Sequence, residues 1–130
     1  MQILLDTCAL IWLGKKQSEL SQKTLDLVIA KDTEVFVSAV SIMELACLQT
    51  KKRIDLGKPF YEWWQEMLAT NGWWCLSVTA AIAKEAYRLP EPFHRDPADR
   101  LLVATARIED MPLVTGDSLI LSYPHVKTLP

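Results

Sequence analysis

Five short apolar or β-branched runs, separated by segments with helical spacing, constrain this chain more than any other feature. The runs are "QILL" (2–5), "EVFVS" (34–38), "WCLSV" (74–78), "PLVT" (112–115) and, more weakly, "VKTL" (126–129). Between them, helices are expected over 21–31, 39–50, 58–70, 79–89 and 97–109, with Ser21, Ser38 and Thr79 as N-caps. In the segment 39–50, Ala39, Ile42, Met43 and Ala46 recur at the i, i+3, i+4, i+7 spacing of a buried helix face. Strands that alternate with helices build a mostly parallel sheet covered on both sides, so the fold class is α/β. A length of 130 residues suits one domain with a real core, and a single domain over 1–130 is expected.

In open parallel sheets the functional crevice lies beyond the carboxyl ends of the strands, beside the point where strand order reverses. Acids accumulate at that edge. Asp6 directly follows the first run, and Asp117 follows "PLVT" by two residues in "TGDS". Glu44 falls in the first turns of the helix that leaves the second run. Asp99 falls in the first turn of the helix before the fourth run, within "HRDPADRLLVATA" (94–106). That helix follows an extended loop rather than a strand, so pattern alone places Asp99 least firmly.

Each acid also has a structural explanation. Asp6 can cap a short helix "TCALIWL", Glu44 can close a capping box with Ser41, and Asp117 can sit in a turn after Gly116. Asp96, followed by Pro97 and then Asp99, is a helix-start signature. Taken together, the acids fit an oxygen-rich cage for a hard divalent ion, Mg²⁺ or Mn²⁺. A charge beside a buried strand end must be paired, hydrated or metal-bound. Such an ion lowers the pKa of a bound water and stabilises charge on a phosphate.

Other chemistries fit poorly. His94 and His125 have no cysteine pair beside either, which argues against zinc. Four glycines leave little room for a phosphate loop, and no GxSxG elbow is present. His94 is expected as an exposed loop residue able to touch substrate. A formal net charge of −2 argues against broad attraction to nucleic acid, which leaves Lys51, Lys52 and Arg53 as a local patch, more simply a solvated helix end. Cys8, Cys47 and Cys75 are far apart, odd in number and set among apolar neighbours, the pattern of buried thiols in a reducing cytoplasm. No window holds the roughly 18 uninterrupted apolar residues of a membrane span. Of the pairs Trp63-Trp64 and Trp73-Trp74, one member each is expected in the core and the other on a partner surface.

The segments "ILLDTCALIWL", "VSAVSIMELACL", "HRDPADRLLVATA" and "PLVTGD", in this order and spacing, resemble the PIN-domain ribonucleases. Within them the chain is similar to the VapC-type toxins of bacterial toxin-antitoxin pairs. The resemblance implies a PIN-like α/β/α fold with a five-stranded parallel sheet in the order 3-2-1-4-5. It implies a metal-binding catalytic pocket of Asp6, Glu44, Asp99 and Asp117, with Asp6 and Asp99 as direct ligands, Thr7 and Thr115 in support, and Asp96 as a helix cap. The implied activity is a Mg²⁺-dependent (or Mn²⁺-dependent) endoribonuclease that hydrolyses a phosphodiester of a structured RNA such as tRNA or rRNA, leaving a 5′-phosphate and a 3′-hydroxyl. The implied partners are RNA, a second copy in a homodimer, and an antitoxin that blocks the pocket; no membrane is involved. Ser118 departs from the bulky or basic residue often found after the last acid. Two alternatives remain at this stage. One is a catalytically silent PIN-like binding module. The other is an aspartyl-phosphate phosphatase, since "ILLDTCAL" resembles the strand-end nucleophile of haloacid dehalogenase-type enzymes, although Cys8 stands where those carry a second Asp.

Overall fold

Ile3, Leu4 and Leu5 are all fully buried, the burial of a strand covered on both faces. They belong to β1 (Gln2–Leu5), the centre of the sheet in a computed structural model that describes residues 1–15 and 19–130. The chain continues through α1 (Thr7–Gly14), α2 (Gln22–Ile29), β2 (Glu34–Ser38), α3 (Ala39–Thr50), α4 (Phe60–Asn71) and β3 (Trp74–Leu76). It returns by α5 (Ala80–Ala86), α6 (Pro97–Ile108), β4 (Leu113–Val114), α7 (Ser118–Leu121) and β5 (Thr128–Leu129). The five strands are parallel in the order β3-β2-β1-β4-β5, as the resemblance implies, with Ile3 opposite Val35 and Leu4 opposite Leu113. Strand order reverses between β1 and β4, which puts the switch point at Asp6.

Alternation along β1 divides the core. Ile3 and Leu5 point to one face with Val35, Val37, Leu45 and the tryptophans of α4. Leu4 points to the other with Leu113, Leu102, Val103 and Ile120. Ser21, Ser38 and Thr79 each accept a backbone N–H at the start of α2, α3 and α5, as expected. The four-residue α7 has no counterpart in the sequence reading, because one turn carries no period. Among the described residues no helix is long and apolar enough to cross a membrane.

Two expectations about packing are corrected. In α3 the buried residues are Val40, Ser41 and Leu45, whereas Met43 is 59% exposed and Ala39, Ile42 and Ala46 are half-buried. The period is right and the phase is wrong. α3 packs against α1, α4 and α6, and Ser41 earns its buried position by a 2.7 Å hydrogen bond with the hydroxyl of Thr7, a polar pairing that an apolar pattern misses.

Trp63 and Trp64 are both buried, at 7% and 6% exposure. Side chains about 100° apart on a helix can enter one core when they are as large as indole. Trp63 lies over Gly14, where an added Cβ would collide with its Cζ2. The second pair divides as expected: Trp73 packs partly against the core and Trp74, on the edge strand β3, is 60% exposed. Gly14→Ala is therefore expected to destabilise by about 1–3 kcal/mol through overpacking, although alanine is the better helix former. A thermal melt checks it, and a raised melting temperature would show that the indole yields freely.

Candidate active site

Asp6 ends β1 at the switch point. Its N–H donates to Val114 O (3.0 Å), and its Oδ1 accepts the N–H of Ala9 (2.7 Å), capping α1. On the neighbouring strand end, the Thr115 hydroxyl hydrogen-bonds to the Asp6 carboxylate and accepts the N–H of Asp117 (3.0 Å). One threonine thus ties two acids together. Asp117 in turn accepts the N–H groups of Leu119 (2.8 Å) and Ile120 (3.3 Å) and caps α7.

Glu44 reaches the same edge from α3. Its Oε1 accepts the hydroxyl of Thr7, which also bonds Ser41. Ser38 is the N-cap of α3, so Ser41 lies inside the helix and forms no capping box with Glu44. Asp99 sits in the first turn of α6, where its N–H donates to Asp96 Oδ1 (3.0 Å). Asp6, Asp96 and Asp117 are all caps, so the structural and the functional explanations of these acids coexist. The free N–H groups and the positive end of each helix favour carboxylates where several meet.

Mutual repulsion is visible in the proton affinities. Asp99 is pushed up to about 7, first by burial and then by the charges of Asp96, Asp117, Glu44 and Asp6. Burial raises Asp6, against the hydrogen bonds from Thr115 and Ala9, and the charge of Asp117 adds to it. Burial also raises Glu44, opposed by Thr7 and reinforced by Asp96 and Asp6. The Cys8 thiol is pushed up to about 11 by partial burial and then by Asp6, Glu44, Asp99 and Asp117. All four expected pocket acids act on one sulfur.

The cysteine expectation is corrected here: Cys8, Cys47 and Cys75 are free and exposed. Apolar sequence neighbours on a helix or an edge strand lie on other faces, so they do not report burial. His94, expected to be exposed, is half-buried with its ring 4.5 Å from that of Phe93. Its Nε2 is shut from solvent and stands 3.2 Å from Asp99 Oδ2, off the line of a hydrogen bond.

The residue that holds His94 there is Arg100, which the sequence reading passed over. Buried, it donates to Ala86 O (2.8 Å), His94 O (3.1 Å), Phe93 O (3.3 Å) and Glu91 Oε1 (3.2 Å). Its position one turn before the fully buried Val103 and Ala104 was the available signal.

Asp96 caps α6, as the resemblance implies, yet its charge is the second cause of the raised Asp99. Asp96→Asn keeps a capping oxygen, so it is expected to leave stability within about 0.5 kcal/mol while lowering the Asp99 pKa. Asp96→Ala removes the cap and is expected to cost about 1 kcal/mol. Carboxyl NMR titration and thermal melts check both, and equal melting of the two variants would remove the capping role.

Among the described residues none of the four acids pairs with a lysine or arginine, and Asp99 meets only His94. No three His, Cys, Asp or Glu side chains among them lie close enough to grip one ion as they stand. The donor chemistry, carboxylate oxygens whose proton affinity is raised by burial and then by neighbouring carboxylates, fits a hard divalent cation.

A family model, the PIN domain, matches residues 3–125, and the chain belongs to that family. It is 35% identical over 126 residues to Ribonuclease VapC22 of Mycobacterium tuberculosis, covering 95% of this chain and 92% of that relative. Among solved structures it is similar to VapBC2 from Rickettsia felis bound to a promoter DNA fragment, with a TM-score of 0.70, 16% identity, and 98% and 97% of the two chains covered. A toxin-antitoxin complex from Klebsiella pneumoniae gives 0.68 and 18%, with 98% and 96% covered. At these identities the two structures establish the PIN-like fold.

Proposed function

We propose that this chain is a metal-dependent endoribonuclease, the toxin of a toxin-antitoxin pair, acting as one PIN domain over 1–130. The observation that supports the reading is that, after burial, the charges of Asp6, Glu44, Asp99 and Asp117 all raise the Cys8 thiol, which lies two residues beyond the switch point. The VapC22 relative, named a ribonuclease, supports the hydrolysis of RNA, and the toxin-antitoxin structures support an antitoxin partner. Structured RNA such as tRNA or rRNA is the proposed substrate, with a homodimer presenting it.

Asp6 and Asp99 are the proposed ligands of Mg²⁺ or Mn²⁺, with Asp117 and Glu44 beside them. Such an ion, when bound, would supply an activated water and charge compensation for the phosphate. The chain's own residues prepare this. Ala9 N–H and the Thr115 hydroxyl hold Asp6 in one orientation, and Thr7 holds Glu44. Asp99, with a pKa of about 7, keeps a proton near neutrality in the absence of a cation and must release it to bind one. Cation affinity is therefore expected to rise with pH through neutrality.

The test is cleavage of total tRNA and rRNA by purified protein, titrated with Mg²⁺, with Mn²⁺ and with chelator. Metal-dependent cuts ending in 5′-phosphates support the reading. RNA binding with no cleavage in any metal would leave a silent binding module instead.

A further inference from the structure

Beside the acids lies a second feature that the pocket does not use. A cleft of about 600 Å³ opens between the loop before α6 and the segment that follows β4, lined by Pro92, Phe93, His94, Leu119, Tyr123 and His125 among others. Among the described residues no Asp, Glu, Lys or Arg lines it. Its rings form a chain: His94 on Phe93 at 4.5 Å, Phe93 on Tyr123 at 4.4 Å, and Tyr123 on His125 at 5.3 Å. The rings are held in place before any ligand arrives. The Tyr123 hydroxyl donates to Pro90 O (2.6 Å), and Arg100 clamps the carbonyls of Phe93 and His94 with its guanidinium 5.9 Å from the Phe93 ring centre.

Two of the cleft's lining residues adjoin the acids. His94 is a wall of the cleft and stands 3.2 Å from Asp99, and Leu119 projects from the helix that Asp117 caps. Uncharged faces suit a planar apolar group, and the adjoining carboxylates suit a metal-compensated phosphate. A nucleotide joins those two groups through a single sugar. Arg95, exposed and next in sequence to His94, adds a cation on the same loop.

We propose that the Pro92–His94 and Leu119–His125 cleft receives one unstacked nucleobase of the RNA, next to the phosphate that faces Asp99 and Asp117. This rests on the ribonuclease reading and names what selects its substrate. Bases splayed from loops and stacked on aromatic rings are the usual means of reading RNA, and stacking tolerates any base while favouring the larger ones. Phe93 and His125 are then specificity-determining residues for the position beside the cut.

The probe is a pentaribonucleotide with 2-aminopurine at its centre and random flanks, titrated in chelator so that nothing is cut. Wild type is expected to quench the fluorescence. Phe93→Leu, which keeps bulk and removes the ring, and His125→Ala, at an exposed position, should each weaken binding by about tenfold. Adenosine should compete, while ribose 5-phosphate and inorganic phosphate should not. In Mn²⁺ the same variants should raise KM on tRNA more than they lower kcat, and should relax base preference beside the cuts. Absence of quenching, equal affinity for an abasic pentamer, or wild-type binding by both folded variants would overturn the proposal. Cleavage without quenching overturns the base site alone, and quenching without cleavage in any metal overturns the nuclease reading alone.

Discussion

Asp6→Asn and Asp99→Asn are each expected to lower kcat for RNA cleavage by about 10²–10³-fold or more, the scale on which losing one preorganised electrostatic group is felt. The two carboxylates come from different elements, the end of β1 and the first turn of α6; burial raises both, the charge of Asp117 adds to each, and Asp6 adds to Asp99. Parts of one device fail together, so the double variant is expected to lose little beyond either single one. Both substitutions preserve shape and, at Asp6, an oxygen that can still accept from Ala9 N–H. Circular dichroism should therefore show folded protein throughout. Cleavage assays with saturating Mn²⁺ check the result, and multiplicative losses in the double variant would mean that the two acids do not act on one site.

The second large effect appears with no RNA present. Asp99 holds its proton far more tightly in the folded chain, at about 7, than the ordinary value of 3.8. The native state binds more protons than the unfolded state between those values, so stability falls as pH rises from about 4 through 7 and changes no further from this group above that. The full shift corresponds to about 4 kcal/mol at 1.36 kcal/mol per unit. For a side chain that is 22% exposed, solvent screening reduces this to about 2 kcal/mol.

Asp99→Asn removes the charge at every pH. In chelator at pH 8 it is expected to raise the melting temperature by several degrees, and at pH 4 to leave it almost unchanged. Millimolar Mn²⁺ should stabilise wild type at pH 8, because a ligand bound only by the native state stabilises in proportion to the logarithm of its concentration over Kd. It should do much less for the variant. Wild type that melts identically in chelator and in Mn²⁺, with a variant no more stable at pH 8 than at pH 4, would show that these acids do not meet at a metal site. Asp96 is a poor charge control here, since it belongs to the same field.

Legibility of the site followed the range of the forces involved. Asp6 and Asp117 could be placed from the sequence because a strand end and a cap are local events, and Glu44 because α3 starts where β2 stops. Asp99 follows from the family resemblance rather than from pattern, since its helix enters from a long loop. Helix 39–50 and the caps Ser21, Ser38 and Thr79 were legible for the same local reason: a free N–H finds its acceptor within a turn.

The sequence by itself determined the order of the five strands and the longer helices, the caps Ser21, Ser38 and Thr79, and the placing of Asp6, Glu44 and Asp117 towards the carboxyl edge of a parallel sheet, because periodicity and backbone hydrogen bonding act within a few residues. Only the tertiary structure decided which face of α3 is buried, since Ser41 enters the core through Thr7, a residue 34 positions away. It alone decided that both Trp63 and Trp64 are buried, that Cys8 lies exposed among acids, and that Arg100 turns His94 onto Asp99. The proton affinity of Asp99 belongs to the same group. It depends on burial and on charges carried by separate segments, and both act through distances in space that no sequence interval records.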